Sequence, residues 1–290
     1  MNGEKIFFNR VGIVGVGLIG SSFALAMKER KCVREVWGYS CTGRSAKKAL
    51  ELGIIDRQID KLSELAEGCD FILVSTPVLT IPEILKTLSQ YVAEDVVITD
   101  GGSVKSFVYE CADYFKYKNF VGAHPIAGTE KSGPEAGFSS LFDGSICIVT
   151  PVEDIDNEKL NTVKIVWEML GMNVVFMTPQ EHDVVMAEVS HMPHAIAFSL
   201  VSAVKDKYFN DRKVTTFAGG GFRDFTRIAK SDVTMWADIF ISNSQNVISS
   251  INDFKEALNL LCSALQNQDR ERIERFIYEA RSAVLGNEKK

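Results

Sequence analysis

The spacing of hydrophobic residues differs between the first 178 residues and the rest of the chain. In the first part, short runs rich in Val and Ile alternate with amphipathic stretches. Near-continuous apolar strands that alternate with helices are typical of a parallel sheet with helices on both faces. We therefore predict a doubly wound, Rossmann-type α/β domain, with strands in VGIVG, EVWGY, CDFILVS, DVVITD, NFVGA, SICIVT and NVVFMT and helices over 21–30, 44–52, 81–91, 104–115 and 157–170.

After Thr178 the strand-like runs end and helical periodicity continues along the chain. Pro179 marks the break, because a proline disfavours helical geometry at the residue before it. The sequence thus predicts two domains, residues 1–178 with the sheet and an all-helical part over residues 179–290, with helices at 180–208, 233–243, 245–266 and 270–284.

The helical part carries more apolar residues than a small bundle readily buries alone. Most soluble oligomers are symmetric homo-oligomers, and dimers are the commonest among them. The apolar residues of this part include Ile239, Ile241, Val247, Ile248, Ile251, Phe254, Leu258, Leu260 and Leu261, and we expect a homodimer formed through it.

A glycine motif follows the first predicted strand and precedes the first predicted helix. Gly15, Gly17 and Gly20 have the spacing G-x-G-x-x-G, with Leu18 and Ile19 before the last glycine. The first glycine permits a tight turn, the second lets the main chain approach a pyrophosphate, and the third allows close packing of helix on strand. We interpret the segment as a dinucleotide-binding turn.

The end of the second strand lacks the acidic residue that usually binds the ribose of NAD. Ser40 can hydrogen-bond a ribose hydroxyl without repelling a 2′-phosphate, and Arg44 can attract one. These residues leave the choice between NAD and NADP open. Ser75, Thr76 and Pro77 follow the third strand and are expected to line the same crevice, although Pro77 is also suited to begin the next helix.

Two candidate catalytic residues follow later strands. Ligands of open α/β sheets bind at the carboxyl ends of the strands. His124 stands there, and Pro125 favours an extended conformation that aims its imidazole. Ser103, in the loop DGGSVK, is the second candidate. The alternatives are a buried structural histidine and a serine that caps the following helix.

The other three histidines, His182, His191 and His194, lie within thirteen residues of the helical part. His191 and His194 are three positions apart and so share one helix face. A metal site is the rival explanation, but no Cys, His, Asp or Glu group nearby in sequence completes a recognised zinc spacing, and we expect no metal.

Further along, the segment GGGFRDFTRIAKSD combines three glycines with several charges. Arg227 within it is suited to bidentate recognition of a carboxylate, although most arginines beside a turn are solvated surface charges.

Composition narrows the class of protein. Lys and Arg number 32 against 38 Asp and Glu, without a basic cluster, which argues against a nucleic-acid partner. Six cysteines without a CxxC pair favour free thiols in a reducing cytoplasm. The uncharged stretch 11–27 resembles a signal peptide, but its glycines fit a strand-turn-helix better. No other run approaches the length of a membrane span, and we expect no membrane association.

Taken together, the motifs GxGxxG, DGGSVK, HPIAGTEKSG, HD…SHMPH and GGGFRDFTRIAKSD…W, in this order, make the chain resemble the prephenate dehydrogenase family of tyrosine biosynthesis. The resemblance runs through essentially the whole chain. It implies oxidative decarboxylation of the small molecule prephenate to 4-hydroxyphenylpyruvate and CO2, with hydride transfer to a nicotinamide cofactor.

The resemblance also implies roles for individual residues. His124 corresponds to the catalytic histidine that bonds the ring hydroxyl, and Ser103 to its helper. Arg227 corresponds to the binder of the substrate carboxylate. The remaining implied substrate contacts are His194, Glu130, Asp224, Gly221 and Trp236.

Three other functions fit parts of the pattern. An arogenate or dual-substrate dehydrogenase would use the same ring chemistry on a side chain with an amino group. A non-catalytic nucleotide sensor would not need His124, Ser103 and Arg227 together. A hydroxyacid dehydrogenase would commonly use a lysine base, which the SHMPH helix does not resemble.

Overall fold

The computed structural model describes residues 8–111, 119–129 and 131–287. The strands of its main sheet are β1 (Phe8–Val14), β2 (Val33–Tyr39), β3 (Arg57–Ile59), β4 (Phe71–Val74), β5 (Val97–Asp100), β6 (Phe120–Pro125), β7 (Ile146–Thr150) and β8 (Asn173–Phe176), and a small hairpin contains β9 (Tyr208–Phe209) and β10 (Arg212–Lys213). The helices are α1 (Leu18–Glu29), α2 (Arg44–Glu51), α3 (Leu62–Gly68), α4 (Ile81–Leu88), α5 (Ser106–Cys111), α6 (Asn157–Met169), α7 (Pro179–Met186), α8 (Met192–Val204), α9 (Gly220–Thr226), α10 (Val233–Ser242), α11 (Ser244–Gln266) and α12 (Arg270–Asn287).

The main sheet has the order β3-β2-β1-β4-β5-β6-β7-β8. All neighbouring strands are parallel except β6 and β7, so the predicted parallel sheet is confirmed for β1 to β6, whereas β7 and β8 run the other way. The cause is the connection over residues 126–145, whose described part contains one 3₁₀ turn, Pro134–Ala136, and no crossover helix. A parallel pair requires such a crossover.

Helices cover both faces of the sheet, and each face has its own apolar core. On one face, Phe23 of α1 packs against the rings of Phe71 and Trp167, with centroids 6.1 and 5.3 Å away. On the other face, Leu65 of α3 and Leu85 of α4 are fully buried. Burial of each apolar side chain of this size stabilises the folded state by about 1.5–3 kcal/mol. The two cores therefore hold the strand ends in fixed positions.

Some elements carry too little pattern to be predicted. They are β3, α3, α9 and the β9–β10 hairpin, which are two to seven residues long. A helical or strand period needs more residues than this to become visible. The helix predicted over 104–115 is described only over Ser106–Cys111, because residues 112–118 lie outside the described part.

The first helix after β8, α7, begins at Pro179. Thr178 caps α7 by accepting a hydrogen bond from the Glu181 amide at 3.2 Å, and the Glu181 carboxylate accepts one from the Thr178 amide at 2.8 Å. This reciprocal pair satisfies two amides that the first helical turn leaves free. A π-helical turn, Ala187–His191, then joins α7 to α8 without interrupting the helix.

This continuous helix, Pro179–Val204, has a length and composition that would by themselves allow it to cross a membrane. The expectation that no second run approaches such a span was therefore too strong. Interior helices pass the same test, and this one carries His182 and Asp183 as buried polar residues. Both of these side chains are hydrogen-bonded within the protein, and 22% of the helix's most apolar 18-residue window is buried.

By its contacts the chain divides into one compact unit that ends at Ser244 and a second that begins at Gln245. The predicted division after residue 178 stays a prediction. The described part of the second unit contains α11 from Gln245 onward and all of α12. Many of its apolar side chains are exposed, among them Leu258, Leu260, Leu265, Ile277 and Tyr278.

Candidate active site

The glycine turn between β1 and α1 has the geometry that its spacing predicts. Gly15 has a φ of +94°, which side chains rarely tolerate, and its carbonyl accepts a hydrogen bond from the Ser75 hydroxyl at 2.7 Å. A Cβ on Gly20 would lie 2.4 Å from that carbonyl oxygen, whereas one on Gly17 would meet nothing within 4 Å. Gly17 thus leaves open space at the N-terminus of α1, where an anion is favoured.

A cavity of about 780 Å³ opens at the carboxyl ends of the central strands. This volume lies in the range that holds a substrate or cofactor. The residues predicted for the cofactor that line it are Gly17, Leu18, Ile19, Ser75, Thr76 and Pro77, and the residues predicted for the substrate and the chemistry that line it are Ser103, His124, His194, Arg227 and Trp236. The structure therefore brings most of the predicted site together.

Five predicted residues do not line this cavity in the described structure. Gly15 and Gly20 support the turn from behind, as described above. Gly221 and Asp224 lie exposed on α9. Ser40 accepts a hydrogen bond from the Ala46 amide at 3.1 Å and so supports α2. Glu130, also predicted as a substrate contact, lies outside the described residues.

His124 is buried at the end of β6, beside the cavity. Its Nδ1 lies 2.9 Å from Nε2 of His182, and Nδ1 of His182 lies 2.7 Å from the Asp183 carboxylate. The other ring nitrogen of His124, Nε2, is not used in this contact and can interact with a ligand in the cavity that His124 lines. Burial lowers the pKa of His124 well below its usual value, and the nearby charges of His182 and Lys105 lower it further. The imidazole is therefore neutral at neutral pH.

Asp183 has a second task, at the start of α5. Its carboxylate accepts hydrogen bonds from the amides of Lys105 at 2.7 Å and Ser106 at 2.8 Å. Burial raises the pKa of Asp183, but the hydrogen bonds from His182 and these amides lower it more, so the net shift is downward. The cap of α5 thus comes from α7, and Ser103, the alternative cap in the sequence, faces the cavity instead.

A buried ion pair fixes the strand that carries His124. Lys105 and Asp100 are fully buried and paired, and the Lys105 ammonium also donates to the carbonyl of Ala123 at 2.9 Å. The Asp100 carboxylate accepts from the Ala123 amide at 3.0 Å. Because both main-chain groups before His124 are held this way, the position of the imidazole is set by β5 and the loop after it.

The helical side of the cavity presents an aromatic surface. The imidazole of His194 stacks on the indole of Trp236, with centroids 3.7 Å apart, and its Nδ1 donates to the carbonyl of Ser190 at 2.9 Å. Burial lowers the pKa of His194; the Ser190 contact raises it, and the charge of Arg227 lowers it again. His194 and Arg227 line the same cavity, so both can contact one ligand bound there.

A family model for the nucleotide-binding domain of prephenate dehydrogenase matches residues 23–176, and one for its dimerization domain matches residues 178–279.

The chain belongs to the prephenate dehydrogenase family.

Individual relatives agree. The prephenate dehydrogenase of Bacillus subtilis is 33% identical over 93% of this chain and 73% of its own length, and the cyclohexadienyl dehydrogenase of Zymomonas mobilis is 32% identical over 96% of both. The crystal structure of prephenate dehydrogenase from A. aeolicus in complex with hydroxyphenyl propionate and NAD+ is 39% identical, with a TM-score of 0.92 over 98% of this chain and 99% of that one. These comparisons confirm the predicted fold class and the predicted class of enzyme, a dehydrogenase.

The sequence alone did not identify His182, Asp183 or Lys105 as residues of the active site. His182 is 58 positions from His124, and Asp183 is 78 positions from Lys105. The available signal was the adjacent pair His182–Asp183 in a helix with many apolar residues. That pair became interpretable only when the fold placed it behind His124.

Proposed function

We propose that this chain oxidises prephenate to 4-hydroxyphenylpyruvate and CO2, with NAD+ as the hydride acceptor. The observation that carries the proposal is the single cavity that joins the glycine turn to His124, Ser103 and Arg227. The family supports the reaction, and the NAD+ bound in the A. aeolicus structure supports the cofactor.

The residues of the turn fit a nicotinamide dinucleotide. Gly17 offers open space for a close approach to the main chain, and the free amides at the start of α1 favour a pyrophosphate. When bound, the cofactor supplies the hydride acceptor, and the protein supplies position and electrostatics.

His124 acts on the ring hydroxyl of the substrate. As the hydride leaves the carbinol carbon, the carbon–oxygen bond gains double-bond character and the hydroxyl becomes acidic. The hydroxyl proton moves towards Nε2 of neutral His124 and returns to the phenol oxygen of the product. The bond to the ring carboxylate breaks at the same time, and its electrons complete the aromatic ring. General-base help of this kind contributes typically about 10²–10⁴-fold in rate.

Arg227 binds a carboxylate of the substrate, and His194, stacked on Trp236, binds beside it. Ser103 assists His124 at the hydroxyl. Two or more fixed contacts orient the ring against the cofactor, and orientation of this kind can lower the barrier to reaction by about 7–11 kcal/mol. Gly221, Asp224 and Glu130 remain proposed contributors to the arrangement of Arg227.

We also propose a homodimer, supported by the match to a dimerization domain and by the exposed apolar side chains of the second unit. The six cysteines are free thiols, which fits a cytoplasmic location.

A second candidate substrate is arogenate, with an amino group in place of the keto group of the side chain. It is favoured by the similarity to the Z. mobilis cyclohexadienyl dehydrogenase and to the Synechocystis arogenate dehydrogenase, 28% identical with a TM-score of 0.81 over 96% of this chain and 99% of that one.

The test is to mix the purified protein with prephenate or arogenate and with NAD+ or NADP+, and to follow the absorbance of the reduced nicotinamide. The proposal expects the highest kcat/KM with prephenate and NAD+. Absence of turnover with both substrates would refute it, and a higher kcat/KM with arogenate would replace it by the second candidate.

A further inference from the structure

Behind His124 a line of hydrogen bonds runs away from the cavity and ends at a helix start. It passes from Nδ1 of His124 to Nε2 of His182, and from Nδ1 of His182 to the Asp183 carboxylate. Asp183 is itself held by the amides of Lys105 and Ser106, and Asn243 donates to its carbonyl at 2.8 Å. The far end of the line is therefore rigid.

The direction of each hydrogen bond follows from what each group can do. An ionised carboxylate only accepts hydrogen bonds, so Nδ1 of His182 must donate to Asp183. A neutral imidazole has one donor and one acceptor nitrogen, so Nε2 of His182 must accept. Nδ1 of His124 therefore carries the hydrogen, and Nε2 of His124, the nitrogen left for the cavity, carries the lone pair.

We propose that Asp183 and His182 are positioning residues that hold His124 in the one neutral tautomer able to accept the hydroxyl proton of the substrate. The inference rests on the proposed role of His124 and deepens it. In the opposite tautomer, the nitrogen at the cavity would be a donor and could not accept that proton. In serine hydrolases, disturbing the tautomer of a catalytic histidine through its aspartate lowers kcat by about 10⁴.

The surroundings favour neutral imidazoles along this line. Lys105 from the loop before α5, His191 from the π-helical turn and Asp100 from β5 are the nearest charged or titratable groups. Cys147 of β7 is also adjacent, and burial raises the pKa of its thiol, so it stays neutral. Burial lowers the pKa of His182, the Asp183 hydrogen bond raises it, and Lys105 lowers it again, with a net downward shift.

A pair of substitutions at His182 separates positioning from packing. Leu has no acceptor for the hydrogen of His124, whereas the amide of Gln can donate to Asp183 and accept from His124, as the imidazole does. Both variants leave the two amides of α5 bonded to Asp183. We call the line of hydrogen bonds from His124 through His182 to Asp183 the relay. Comparison of His182→Leu with His182→Gln therefore tests the relay while the start of α5 stays intact.

The first measurement uses the unaltered protein. Nitrogen NMR of protein labelled with ¹⁵N-histidine reports which ring nitrogen of His124 carries hydrogen, with the signal assigned through its loss in His124→Asn. The proposal expects Nδ1 protonated and Nε2 unprotonated at neutral pH. The reverse tautomer would overturn it, whether or not the variants fold.

The second measurement is steady-state kinetics with prephenate and NAD+. His182→Leu is expected to lower kcat about 10-fold or more with KM changed by less than about 3-fold, as for an interaction made in the transition state. His182→Gln is expected to recover most of that kcat. A normal kcat in His182→Leu, or an equal loss in both variants, contradicts the relay. Failure of the unaltered protein to turn over prephenate would refute the proposed function, while the tautomer of His124 still tests the relay.

Discussion

Gly20 packs so closely on Gly15 that a Cβ on Gly20 would lie 2.4 Å from the Gly15 carbonyl oxygen. That oxygen is also bonded to the Ser75 hydroxyl, so it has little freedom to move. The contact joins the first turn of α1 to the loop after β1, and it sets how near the helix start stands to the cavity.

We expect Gly20→Ala to destabilise the fold by about 1–3 kcal/mol, because the added methyl group overpacks a rigid main chain. The measurement is the free energy of unfolding from denaturant titration. Gly17→Ala is the matched control, since its Cβ meets nothing within 4 Å, and it should leave stability unchanged while raising KM for NAD+. Equal stability of both variants would show that the Gly20 contact is not tight in solution.

Ser40 stands where NAD-binding turns usually carry an acidic residue. Ser40→Asp should lower the affinity for NADPH relative to NADH about 10-fold or more, because a carboxylate repels the 2′-phosphate and accepts from the 2′-hydroxyl. Ser40→Asn is the uncharged control and should leave the ratio of the two Kd values near that of the unaltered protein. If Asp and Asn gave the same ratio, Ser40 would not face the ribose.

Arg227 is exposed in the single chain and lines the cavity. Arg227→Ala should raise KM for prephenate about 10- to 100-fold with a smaller effect on kcat, because a hydrogen bond between charged groups contributes about 1.5–3 kcal/mol. Arg270→Ala removes an exposed arginine that pairs with Glu274 in α12, and it serves as the control with unchanged kinetics. An unchanged KM in Arg227→Ala would show that this arginine is a solvated surface charge and does not bind the substrate.

Much of the fold and part of the site follow from local pattern. Seven of the eight sheet strands and the glycine turn were visible as apolar runs and spacing, because each is set by neighbours in sequence. The reversal at β7 was not, since it depends on the absence of a crossover helix from the described residues of the loop over 126–145. The same limit applies to Asp183, whose partners at Lys105 and Ser106 are supplied by the tertiary fold.

The pH dependence follows from the neutral state of His124. Its pKa lies well below the usual 6.5, first because of burial, so the accepting form persists as the pH falls through that value. We expect kcat/KM to stay level down to pH 6.5 and to decline only below it. The free energy of unfolding should also fall as the pH decreases below 6.5, because His124 is protonated in the unfolded chain but stays neutral when buried in the folded one. A half-maximal kcat/KM at or above pH 6.5, with the fold intact by circular dichroism, would contradict the neutral-base account.

The most direct test of the account is kcat for His124→Asn with prephenate and NAD+. Asn retains a donor towards Nε2 of His182 but has no group in place of Nε2 at the cavity, so the fold should persist while the acceptor is lost. The predicted result is a fall in kcat of about 10²–10⁴-fold with KM little changed. A kcat close to that of the unaltered protein would contradict the central claim that this imidazole accepts the hydroxyl proton.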